Sequence, residues 1–132
     1  MRSRYQPWWL GVALSGPRNA GTIHAAELYR AGHGSDEALR IWEYLPFGPW
    51  PDEAAFLAWL RDQAATFDHI WFAHGRTKAK GASHLDIHPL DGVIEIGGIW
   101  FGTELQRTRA TTEALFLLLC GAALTMVLTF TL

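Results

Sequence analysis

With 132 residues and a net charge of −2, the chain is long enough for one small domain and lacks the basic surplus that nucleic-acid binding requires. Its single cysteine, Cys120, excludes an intramolecular disulfide and a cysteine metal cluster. Seven tryptophans and seven phenylalanines form a heavy aromatic load, suited to a core or to a buried interface.

In chain order, the N-terminus opens with Arg2 and Arg4, but its apolar run is too short for a secretory signal. Trp8 to Leu14 reads as a buried strand, closed by the turn residues Ser15-Gly16-Pro17. Asn19 and Thr22 are candidate caps for a short helix through Ala25, Ala26, Leu28 and Tyr29, ending near Gly32. Ala38 to Leu45 alternates roughly between apolar and polar residues, which predicts a half-buried strand. Pro51-Asp52-Glu53 then starts a helix, with proline in the first turn and acids against the positive end of the dipole. Phe56, Leu57, Trp59, Leu60 and Ala64 continue it at helical spacing to about Thr66.

Ile70 to Ala73 and the run from Val93 to about Phe101 complete a count of four strands and two helices, an α+β pattern in which the last two strands pair as neighbours. Between them lies a polar stretch with the turn-prone Pro89-Leu90-Asp91-Gly92. The tail differs. From Ala114 to Leu132 no residue is charged, and a helix of that length measures roughly 28 Å, close to a bilayer core. Arg107 and Arg109 precede it, so the positive-inside tendency places an N-terminal domain, residues 1–106, in the cytoplasm. Residues 107–132 then form a single-pass membrane anchor, with a buried or interacting helix as the other reading of the same residues.

His74, His84 and His88, with Asp86 and Asp91, are the available metal ligands, but their spacing matches no recognised zinc pattern, and no metal or other cofactor is expected. No G-x-S-x-G elbow accompanies Ser83 and His84, so a hydrolase triad has no sequence support. Lys78, Lys80 and Arg76 make a small basic loop, too few charges for nucleic acid. Arg76 directly follows a strand, where a guanidinium can be held for bidentate pairing with a carboxylate. Gly97-Gly98 permits a β-bulge or an anion approaching the backbone.

His74-Gly75-Arg76 with Gly81, followed by His88-Pro89, Asp91-Gly92 and Gly97-Gly98, resembles the core of class II glutamine amidotransferases, of the N-terminal nucleophile hydrolase superfamily. Their pattern is a strand leading to H-x-R-[WY]-A-T-x-G, then A-H-P, then a strand ending in H-N-G. The resemblance implies two facing sheets sandwiched between helices. It also implies a substrate pocket at His74, Arg76, Gly97 and Gly98, in which Arg76 holds the glutamine carboxylate. The family's N-terminal cysteine nucleophile is missing and Gly97 replaces the oxyanion asparagine, so catalysis is not expected. The sequence therefore predicts a non-enzymatic, membrane-anchored α+β domain acting through protein contacts, with a protein partner or a second copy of itself. The alternative is an amidotransferase-type enzyme or a carboxylate-binding domain using Arg76 and the Gly97-Gly98 backbone.

Overall fold

The computed structural model of the chain describes residues 12–13, 20–65, 69–75 and 80–131. Of the N-terminal strand expectation, Val12 and Ala13 fall within them and form β1. Helix α1 (Ala20–His33) runs one residue past Gly32. Gly32 is not a stop signal: a Cβ there would lie 2.5 Å from the Trp42 ring, and its carbonyl accepts the buried Trp42 indole N–H at 2.8 Å. The missing side chain makes room for an aromatic ring.

The strand expected over Ala38 to Leu45 is helical. Helix α2 (Asp36–Leu39) is capped by Ser35, whose hydroxyl accepts the Ala38 N–H, and two acids sit in its first turn. A 3-10 helix, Arg40–Tyr44, continues it. Ala38 and Trp42, four residues apart, are both buried, a helical spacing that the apparent alternation concealed. Helix α3 (Glu53–Ala64) forms where the sequence predicts one, capped by Asp52.

The remaining strands are β2 (His69–Gly75), β3 (Lys80–His88) and β4 (Val93–Phe101). Among the described residues they form one antiparallel sheet in the order β1-β2-β3-β4. The two strands predicted as neighbours are separated by β3, which lacks a clear apolar pattern because its central residues are small. Ala82 and Ser83 are both buried there, and they point to opposite faces, so the sheet is covered on both sides along this stretch. Registry places Trp71, Ala73, Ala82 and Trp100 on one face, joined in a single core with Ala25 and Leu28 of α1, Trp42, and Phe56 and Leu60 of α3. Each large apolar side chain fully buried in this way contributes about 1.5–3 kcal/mol.

A single open sheet replaces the two facing sheets that the amidotransferase resemblance implies. Its motif spacing has a simpler origin. His74 and Gly81 are cross-strand partners in the β2–β3 hairpin, and Pro89 to Gly92 is the turn of the β3–β4 hairpin, closed by hydrogen bonds from Asp91 N to His88 O and from Gly92 N to Pro89 O. Spacing set by two hairpins imitates a short motif without the architecture behind it.

The membrane anchor is also corrected. No helix among the described residues is long and apolar enough to cross a membrane. The uncharged tail belongs to helix α4 (Arg109–Thr131), which packs on β4 and buries Ala114 and Ala122 on one stripe. Among its described residues only these small ones are buried, while Phe116, Leu117, Leu119, Leu124 and Val127 stay exposed. Without a span the single-pass topology and the cytoplasmic placement derived from it lose their basis.

Candidate functional site

The C-terminal end of β4 leads through Gly102–Thr108 into α4, and this junction is built with care. Leu105 N and Gln106 N both donate to Gly102 O, the Gln106 side-chain amide donates to Phe101 O at 2.9 Å, and Thr108 Oγ1 donates to Leu105 O at 2.6 Å. Arg107 adopts φ 59°, a left-handed conformation uncommon for a residue with a Cβ, and there the chain turns into α4. The first-turn amides of a helix have no partners within the helix. Acids usually complement that positive end, but the first turn of α4 has none and begins with Arg109, just after Arg107. Two arginines at this end oppose the helix dipole, an arrangement that a bound anion would relieve.

Beside this junction lies a groove of about 610 Å³. One wall is Glu37, Arg40, Ile41, Tyr44 and Leu45 of α2 and the 3-10 helix; the other is Ile99, Trp100 and Phe101 of β4 with Gln106 and Arg107. The volume falls in the range of small-molecule sites. Glu37, Arg40 and Arg107 have no ion-pair partner among the described residues, so the charges at the groove are unspent. A smaller cavity of about 390 Å³ lies against Gly102–Glu104, bounded by Glu27, Arg30 and Ser35.

Gly97 and Gly98 sit immediately before the β4 residues that line the groove. Between the pairs Ala82–Trp100 and His84–Gly97, β4 carries one residue more than β3, which makes Gly98 and Ile99 a bulge opposite Ser83. Gly98 has φ 55°, and a Cβ on it would come within 2.5 Å of His84 Nδ1 and 2.9 Å of the Trp71 ring. The His84 ring lies over both glycines and packs on Trp71 with centroids 4.7 Å apart. The glycine pair is thus required by geometry. His74 is placed by its backbone opposite Gly81 in the β2–β3 hairpin, and Arg76 lies outside the described residues.

Of the other histidines, His88 Nε2 approaches Asp86 Oδ2 at 3.1 Å on the surface. Among the described residues no group of three or more His, Cys, Asp or Glu side chains converges on one point. His33 is held on both sides: its Nδ1 donates to Tyr29 O at 2.9 Å and its Nε2 accepts the Trp50 N–H at 3.1 Å. That pattern fixes the neutral tautomer. Burial pushes its pKa below the ordinary 6.5, and the hydrogen bond to the Tyr29 carbonyl opposes that shift.

The groove was not legible in the sequence, where Arg107 and Arg109 read as the flank of a membrane span. The usable signal was two arginines at a helix start, where acids are the rule.

No family model and no curated protein matches the sequence. The fold does match solved structures. Over 92% of its length the chain is similar to a probable acetyltransferase of the GNAT family from Chromobacterium violaceum ATCC 12472, with a TM-score of 0.69 and 32% identity. Over 90% it is similar to a GCN5-related N-acetyltransferase from Brucella melitensis, with a TM-score of 0.70 and 27% identity. The chain spans 66% and 59% of the lengths of those two proteins. The fold is therefore that of GNAT acetyltransferases, not of an N-terminal nucleophile hydrolase, and these enzyme neighbours overturn the non-enzymatic reading together with its amidotransferase alternative.

Proposed function

We propose that the chain is the donor-binding part of an N-acetyltransferase. The observation that carries this reading is the β4–α4 junction, where Arg107 lines the groove and Arg109 follows it in the acid-free first turn of α4. A donor of the acetyl-coenzyme A type has a pyrophosphate, and that donor set fits it: backbone amides and guanidinium groups are the chemistry that binds phosphate oxygens. When bound, such a donor supplies a thioester carbonyl to which an amine nitrogen bonds as the C–S bond breaks, one proton passing to the thiolate and one from the ammonium to solvent.

This chain's own part is to bind and orient. Arg107 and the α4 amides fix the phosphate end, and the groove wall of Ile99, Trp100 and Phe101 excludes water along the donor. The bulge at Gly98-Ile99 leaves backbone groups of β4 outside the regular ladder beside the groove, available to the donor's amides.

Calorimetric titration with acetyl-coenzyme A and with desulfo-coenzyme A tests the reading. Binding of both is expected, with Arg107→Ala weakening it by about tenfold, the loss of one charge-assisted contact. Absence of binding at millimolar donor would overturn it.

A further inference from the structure

The groove also bears on the second substrate. We infer that the acetyl acceptor is a free α-amino acid, held through both of its charges by Glu37 and Arg40. This rests on the acetyl-transfer reading and goes beyond it, because nothing in the similarity to other acetyltransferases selects an acceptor.

Glu37 and Arg40 are three residues apart across the junction of α2 and the 3-10 helix, so their side chains emerge on one face as neighbours. Both line the groove, both are exposed to it, and neither forms an ion pair among the described residues. An ammonium complements the carboxylate and a carboxylate complements the guanidinium. An α-amino acid carries those two groups on one carbon, matching two opposite charges side by side on one helical face. A simple amine or polyamine would meet Arg40 as a like charge, and an N-acylated acid would leave Glu37 unpaired.

The rest of the lining selects the side chain. Ile41 and Leu45, on the helical wall with Arg40, are apolar, and Tyr44 of the same wall is 83% exposed. An apolar or aromatic amino acid buries its side chain against this wall. Arg107, on the opposite wall of the same groove, remains for the donor, so the two substrates share one cavity with separate charge partners.

Three acceptor probes decide the matter in a steady-state acetylation assay with acetyl-coenzyme A. These are phenylalanine, its amide, which lacks the carboxylate, and phenethylamine, which lacks the whole carboxyl group. Phenylalanine is expected to have a kcat/KM at least tenfold above the other two. Arg40→Gln should remove that preference while leaving donor affinity unchanged, and Glu37→Gln should raise the KM for phenylalanine about tenfold. Thermal melts confirm that both surface variants fold. Donor binding without acetylation of any amino acid, or equal use of phenylalanine and phenethylamine, overturns the acceptor assignment alone; absence of donor binding overturns the acetyl-transfer reading beneath it.

Discussion

His33 shows how a single side chain ties local chemistry to stability. It stacks on Tyr29 with ring centroids 4.2 Å apart, lies 5.2 Å from the Trp42 ring and 5.9 Å from that of Trp50, and links α1 to the chain before α3 through the Trp50 amide. Protonation of Nε2 would abolish that acceptor and place a cation among aromatic rings with no carboxylate paired to it among the described residues. Because the folded-state pKa is lowered, the unfolded chain binds more protons in the window below 6.5. The contribution of the neutral ring is therefore complete above about pH 6.5 and is lost as pH falls toward the folded pKa, with a slope of at most about 1.4 kcal/mol per pH unit for one proton. Urea unfolding between pH 7.5 and 5 is expected to show this slope in the parent protein and a shallower one in His33→Gln. Equal slopes would show that His33 is not the titrating group. Gly32 and Gly98 teach the same lesson from the other side: the sequence shows a glycine, and only the ring lying against it shows why it is there.

At the scale of elements, the start of α3 was the most legible feature. Pro51-Asp52-Glu53 announces α3, and the Asp52 carboxylate does accept the Ala55 N–H at 2.7 Å. Asp52→Ala is expected to cost about 1 kcal/mol, read as a melting temperature lower by a few degrees, whereas Asp52→Asn should lose much less. An unchanged melting temperature in Asp52→Ala would show that the cap carries no net stability. Strand positions were less legible. Ala38–Leu45 alternates like a strand, yet Ser35, Asp36 and Glu37 cap and charge a helix start, and the burial of Ala38 and Trp42 rewards the helical turn. Strand β3 escaped notice because a strand covered on both faces needs no alternation, and small residues such as Ala82 and Ser83 carry little strand signal.

Across the whole molecule the apolar surface is unevenly distributed. Phe116, Leu117, Leu119, Leu124 and Val127 of α4 are 42–62% exposed, and Val93 and Ile99 are exposed on the adjoining strand β4. Exposed apolar surface of this kind promotes self-association. The double variant Leu119→Lys with Leu124→Lys is expected to reduce light scattering at high concentration and to change the unfolding free energy by less than about 0.5 kcal/mol per site, as surface positions do. A large loss of stability would show that this face of α4 is covered in the folded protein. The same helix explains the sequence-level error. Hydropathy registers that nineteen consecutive positions are uncharged, but it does not register that Ala114 and Ala122 are buried and that α4 docks on β4.

The sequence by itself determined the α+β class, helix α3, strands β2 and β4, the Pro89–Gly92 turn and the bulge-forming character of Gly97-Gly98. Each depends on residues close together in the chain, through capping, periodicity or backbone freedom. The order of the strands, the docking of α4 and the groove between α2 and β4 were decided only by tertiary structure. Glu37 and Arg40 are about seventy residues from Gln106 and Arg107 in the chain and line one cavity with them only because the sheet brings β4 beside α2. Charge meets charge there through long-range packing, which no local pattern encodes.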